Sequence, residues 1–247
     1  MRIVLNLLLT GSMLVAPLPA FAQSGGLGEI IVTASRREVA GAVSEDDEEA
    51  ASRVPAIGLR RTADYAVWFV NITGDTRETA RRQQEIYDML RNAVQLAAKS
   101  GGIELGTGTY VVEPLTIANY RNVPLSGAGR SDSERANFII KTKLIGGLDA
   151  KAALAKVEAF IKAVQSVGRA ELTRNNDQTL SIINPDQYRR AIADLIAADA
   201  KDYAARFGPD YRVEVGGIDR PVEWSRASLT EVVLYLPYSY RIVPARP

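Results

Sequence analysis

The hydrophobic pattern of residues 136–184 changes period twice. Phe138, Ile139 and Ile140 open an apolar run that continues through Thr142 and Leu144. Leu154, Val157, Phe160, Ile161 and Val164 then recur at the three-and-four spacing that lines one side of a helix. A second extended run, Ala170 to Ile183, closes the stretch, and within it Thr179, Leu180, Ile182 and Ile183 favour a strand. The pattern predicts strand, helix and strand, with Asp149 capping the helix and Gly168 ending it. The unit carries no chemistry of its own.

A similar unit precedes it. Tyr65, Val67, Phe69 and Asn71 alternate with Ala66, Trp68, Val70 and Ile72, and both sets are largely apolar. That predicts a strand covered on both faces, or one within an oligomer. Gly74 ends it, and Asp75 with Glu78 reads as a capping box opening a helix that runs to about Lys99. Ile86, Leu90, Ala93, Val94 and Ala97 supply its apolar face. Gly101 and Gly102 stop it, residues 103–115 read as one strand, and residues 118–135 as a loop.

A third helix is expected from Asn184 and Pro185 to Phe207, where Gly208 and Pro209 end it. Tyr211, Val213 and Val215 alternate as a strand, and residues 229–243 read as a last one. The fold class predicted is α+β: two strand–helix–strand units, with largely antiparallel sheets and helices packed on one face. Residues 62–247 form the folded body, with 62–117 and 134–247 as its two subdomains.

The N-terminus has a different pattern. Arg2, an apolar run from Ile3 to Val15, and Ala20-Phe21-Ala22 read as a secretory signal peptide over residues 1–22. Residues 23–61 are expected to be a disordered tail, acidic from Glu45 to Glu49. Within it, Glu29, Ile30, Ile31, Val32, Thr33 and Ala34 form one short β-prone segment. Two readings of it stand: a docking peptide, or a β-prone stretch of linker. The expected location is the periplasm, with outer-membrane association as a further expectation and no transmembrane span once the signal is removed.

Composition narrows the chemistry. The 247 residues include no cysteine and no histidine, and the net charge is +1. Thiol nucleophiles, disulfides, Ser–His–Asp catalysis and the usual zinc sites are therefore excluded. So small a net charge argues against broad attraction to nucleic acid. Gly127-Ala128-Gly129 lacks the following helix that a dinucleotide fingerprint requires. No cofactor, metal ligand or catalytic residue is expected.

Two resemblances follow from these residues. Glu29 to Ala34, followed by Arg36 and Arg37, closely resembles the TonB box of TonB-dependent outer-membrane receptors. That likeness implies an added-strand contact with a TonB-like periplasmic protein. It covers residues 29–37 only, and the remaining length departs from that family. Residues 64–243 resemble the SIMPL-domain family of exported bacterial proteins. The likeness is carried by residues 67–99 with Gly101, Gly102 and Ile103, by residues 138–167, and by the alanine-rich residues 197–207 with Tyr235, Tyr238 and Tyr240 beyond. The run from Asp219 to Arg226 is more charged than is usual in that family. This resemblance implies an exported, non-enzymatic protein, ring-like homo-oligomers in some relatives, and a link to envelope stress.

Arg220, Glu223, Trp224 and Arg226 form the densest polar–aromatic cluster and read as a contact patch, since Trp and Arg are enriched at interface hot spots. The competing reading is a salt-bridged turn with Trp224 closing the core. The functional expectation is an envelope protein acting through protein contacts, as an oligomeric scaffold or stress-related protein. A periplasmic module binding a small ligand or polymer between the two units is the alternative.

Overall fold

The computed structural model describes residues 28–32, 55–144, 149–175 and 178–245. The signal peptide, the acidic run and Thr33, Ala34, Arg36 and Arg37 lie outside the described residues. The architecture is mixed α and β, with mostly antiparallel sheets and three α-helices among the described residues.

Four strands and two helices form the centre. Strand β3 (Tyr65–Gly74) leads through helix α1 (Thr79–Lys99) to β4 (Ile103–Thr107), and β7 (Glu134–Lys143) leads through α2 (Ala150–Ala163) to β9 (Thr179–Ile183). The two units interleave, in the order β9-β3-β7-β4 with every pair antiparallel. This is a split β-α-β arrangement, so neither unit stands as a sheet of its own. β3 pairs along its whole length with β7, from Tyr65 opposite Lys143 to Gly74 opposite Glu134.

The doubly apolar pattern of β3 has a direct cause. Ala66, Trp68, Val70 and Ile72 face the helices with Ile86, Leu90, Val157, Phe160 and Ile192. Tyr65, Val67 and Phe69 face the other way, with Ile31, Val112 and Ile139. That second face is covered because the sheet curls and closes on itself. Strand β1 (Glu29–Val32) pairs with β9 on one edge, Ile30 opposite Ile182. Its other edge meets Tyr110 to Val112: Ile31 N–H donates to the Tyr110 carbonyl at 2.9 Å, and Val112 N–H to the Glu29 carbonyl at 2.9 Å. Ile30 and Val111 form the bridge between them. The short strand β5 (Glu113–Pro114) continues from there onto β4. The path β1-β9-β3-β7-β4-β5 is thus a small barrel with the helices outside and Ile31, Val67 and Ile139, all at 0 % exposure, inside.

This corrects the expectation of a disordered tail at residues 29–32 and 59–61; residues 23–27 and 33–54 of that tail lie outside the described residues. Glu29–Val32 is a strand, and so is β2 (Leu59–Thr62), which edges a small sheet with β11 (Glu223–Arg226) and β12 (Glu231–Tyr235). Burying two isoleucines and a valine contributes about 1.5–3 kcal/mol each. That offsets the roughly 1–2 kcal/mol per residue needed to order the backbone.

Other departures are local. Residues 103–115 are two strands rather than one, because Gly108 adopts φ +105° and turns the chain back. A Cβ there would lie 2.0 Å from the Val111 carbonyl oxygen. Residues 118–135 carry a 3-10 turn, Tyr120–Asn122, and a short strand β6 (Leu125–Gly127). Strand β8 (Glu171–Arg174) adds to the far half of β3. Asp149 does cap α2, accepting from Ala152 N–H at 2.7 Å. Asp75 does not cap α1: Glu78 holds that position without a side-chain cap, and Asp75 pairs with arginines instead. Helix α3 (Arg189–Phe207) follows a 3-10 turn at Pro185–Tyr188 and leads into a ribbon of β10 (Tyr211–Gly216) and β13 (Ser239–Pro244). The expected final strand is broken between β12 and β13, at Leu236, Pro237 and Tyr238.

Candidate functional site at the N-terminal strand

Alternation along β1 sends Ile30 and Val32 outward to the helix-covered core, and Glu29 and Ile31 into the barrel. Glu29 reaches β7 and β9 there. Its carboxylate pairs with the Lys141 ammonium and accepts from the Ser181 hydroxyl at 2.6 Å. Lys141 is 5 % exposed and Ser181 0 %. Lys141 also lies 3.4 Å from Glu104 and 4.2 Å from the centre of the Tyr65 ring. The Tyr65 hydroxyl donates to Glu104, with oxygens at 3.0 and 3.1 Å. Lys143 closes the rim 3.6 Å from Glu104.

Burial pushes the Tyr65 hydroxyl well above the ordinary tyrosine range, and its hydrogen bond to Glu104 adds to the effect. It therefore stays a donor. Each polar side chain of this end has its partner inside the cluster, and Ile31, Val67 and Ile139 fill the space behind it. The chemistry is that of a latch: a buried lysine recognises the acidic first residue of an extended segment whose next three side chains are apolar. A cleft of about 350 Å³ opens beyond the rim between Arg61, Asp64, Tyr65 and Lys143.

The predicted contact patch behaves differently. Trp224 is 0 % exposed and belongs to the helix-side core, its ring 6.2 Å from that of Tyr110. It is therefore buried core rather than a surface anchor, and residues 223–226 are a strand rather than the expected turn. Arg226 is held by backbone carbonyls, its Nε donating to Ser228 at 2.9 Å and an NH group to Gln178 at 2.8 Å. Glu223 sits opposite Tyr235 and, after burial, is the main cause that lifts that tyrosine to about 12. Arg220 is exposed on the preceding turn. The structure brings the two predicted regions together: β11 lies against β1, and Trp224 packs on Tyr110, whose carbonyl receives the β1 hydrogen bond.

A second site escaped the sequence reading. Asp75, at the end of β3, accepts two hydrogen bonds from Arg169, at 2.6 and 2.8 Å, and one from Arg130 at 2.9 Å. Those bonds, Arg169 first, hold its carboxyl below the usual range. Beneath it Glu85 accepts from Thr76 at 2.6 Å, from Arg81 and from the Arg169 backbone, and is also held low. Gly168, at φ +55°, makes room: a Cβ there would fall 2.2 Å from the Glu85 carboxyl. An open cleft of about 640 Å³ lies over these residues, between the end of β3, the turn before β7 and the turn before β8. The Asp75-to-Glu78 spacing has the form of a capping box, and nothing local signals arginines 55 and 94 residues away.

No group of three or more acidic, histidine or cysteine side chains among the described residues is placed to hold a metal ion. No helix among them is long and apolar enough to cross a membrane.

No family model matches the chain, and no curated protein matches it. Among solved structures, the chain aligns with a hydrolase from Listeria innocua at 12 % identity, covering 79 % of this chain and 98 % of that one, with a TM-score of 0.16. An uncharacterized conserved protein from the same organism aligns at 11 % identity over the same shares, with a TM-score of 0.15. Superpositions this poor establish neither the fold nor an activity.

Proposed function

We propose that the protein is an exported, non-enzymatic envelope protein that works through protein–protein contacts, with β1 as its docking peptide. The supporting observation is that β1 already binds as an added strand, here to its own fold. Its backbone is paired on both edges, its acid is read by Lys141 and Ser181, and Ile30, Ile31 and Val32 are buried. A sequence with those properties suits a partner's sheet edge equally well. Docking on a TonB-like periplasmic protein then requires β1 to leave the barrel, so internal and external pairing compete. Periplasmic location, and association with the outer membrane, belong to the same reading.

An engineered disulfide tests it. Ile30 and Val111 face each other as a pair that exchanges no hydrogen bonds with one another, the closer type of antiparallel pair. The chain has no native cysteine to interfere. Ile30→Cys with Val111→Cys should abolish capture by a TonB periplasmic domain when oxidised and restore it when reduced. Equal capture in both states, or by a chain lacking residues 29–37, overturns the proposal.

The cleft over Asp75 favours a second reading, a module for a small anionic ligand. It lies between the two interleaved units, and its size is within the usual range for ligand sites, roughly 300–1,000 Å³. Arg130 and Arg169 are exposed there, both paired with Asp75, and Arg130 also lies 3.4 Å from Asp132. Thermal-shift measurements with small dicarboxylates and phosphate esters should show stabilisation that Arg169→Ala removes. Absence of any shift rejects it.

A further inference from the structure

The ribbon of β10 and β13 is joined by no third strand among the described residues. Two strands alone are marginal in water, and this pair offers open backbone edges. The orientation of the β10 edge follows from its end. Ala245 N–H donates to the Asp210 carbonyl at 2.8 Å, one step beyond the Tyr211–Pro244 pair. Alternation then turns the backbone groups of Arg212, Glu214 and Gly216 toward β13, and those of Tyr211, Val213 and Val215 outward. Tyr211 N–H is taken by the Gly208 carbonyl at 3.3 Å. Val213 and Val215 are left facing outward.

The sequence at this edge is Tyr211-Arg212-Val213-Glu214-Val215. Pairing it antiparallel with itself about Val213 sets Arg212 opposite Glu214 twice, and Tyr211 opposite Val215 twice. An axis at Arg212 or at Glu214 would oppose like charges, and one between residues forms no charge pair. The side chains concerned are 59 % and 49 % exposed and lie 3.1 Å apart on the face away from α3. The opposite face carries Val215 beside Tyr240, whose hydroxyl donates to the Ile196 carbonyl of α3 at 2.9 Å. The other edge, β13, ends in Pro244 and has no acidic residue to match Arg241.

We propose that β10 is a self-association edge: it pairs with β10 of a second copy of this chain, on a two-fold axis at Val213, giving a four-stranded sheet. The interface is isologous, so it closes at two copies. Register comes from charge as well as backbone, because like charges directly opposite are destabilising. The proposal is separate from the docking of β1, since a strict monomer that still captures its partner would refute only the dimer.

Light scattering of the full chain across a concentration series tests it. The native chain should dimerise with rising concentration. Arg212→Glu alone and Glu214→Arg alone should each raise the dissociation constant about tenfold or more, as two attractive pairs become repulsive. An equimolar mixture of these two variants should recover a dimer near native affinity, because the acidic positions of one copy then meet the basic positions of the other. Val213→Pro removes an outward N–H and should leave a monomer with an unchanged circular-dichroism spectrum. A native chain that stays monomeric, a mixture no tighter than its components, or a Val213→Pro dimer overturns the proposal.

Discussion

The barrel and the ribbon deal with strand edges in opposite ways. In the barrel, β1 fills the gap between β9 and the Tyr110-to-Val112 segment, so the curled sheet closes. In the ribbon, β10 and β13 pair only with each other among the described residues, and their residues are exposed or half-buried throughout. The difference shows where each region draws its stability. The barrel depends on burial and on a few irreplaceable partners, whereas the ribbon depends on α3 beneath it and tolerates change on its outer face.

The sharpest way to break this contrast is at the buried ion pair. Lys141→Met should cost about 3–5 kcal/mol by chemical denaturation, because Glu29 then stays buried with only Ser181 as a partner. Adding Glu29→Leu should recover most of that loss, since two apolar groups leave no stranded charge. Alkali should act next, and on both regions. Tyr65 in the barrel, Tyr235 in the small sheet and Tyr240 in the ribbon are raised mainly by burial, Tyr235 to about 12 against an ordinary value near 10. Their folded forms hold the proton longer than the unfolded chain does. The stability they confer should be complete below pH 10 and fall as pH rises toward 12, seen as a declining denaturation midpoint.

A smaller effect is expected at Gly106, on the barrel's inner face. A Cβ there would lie 2.8 Å from Val112 and 3.1 Å from Ile139 and the Glu113 carbonyl. Gly106→Ala should cost about 1–3 kcal/mol as the interior shifts. In the ribbon, Tyr240→Phe loses bonds to the Ile196 carbonyl and to Asp199 and should cost about 1 kcal/mol. Arg212→Ala should change the stability of one copy by no more than about 0.5 kcal/mol. A loss from Arg212→Ala as large as that from Lys141→Met would erase the distinction between the two regions.

Much of this was legible in sequence. Period changes located β3, α1, β7, α2 and α3, because each buries a stripe or a face that the spacing of apolar residues records. The two apolar faces of β3 correctly signalled cover on both sides, but not that the sheet itself provides the cover. That depends on pairing between residues 28–32, 110–112 and 179–183, and alternation identifies a strand without naming its neighbour. The same limit explains Glu29. An acid heading a β-branched run suggested a free peptide, and nothing nearby announced Lys141, 112 residues away. Trp224 misled through its flanking charges, since Arg226 spends its guanidinium on backbone carbonyls behind a buried ring. Asp75 has the spacing of a capping residue, but Arg130 and Arg169 from distant segments hold its carboxylate.

The position of β1 at the head of the described chain sets the order of events during synthesis. Its first edge partner lies some eighty residues downstream, and its second only at β9. A chain that emerges amino end first must therefore carry three bare branched side chains until residue 183 is available. For that interval the strand is open to chaperones, to neighbouring nascent chains, or to any sheet edge that reaches it before its own.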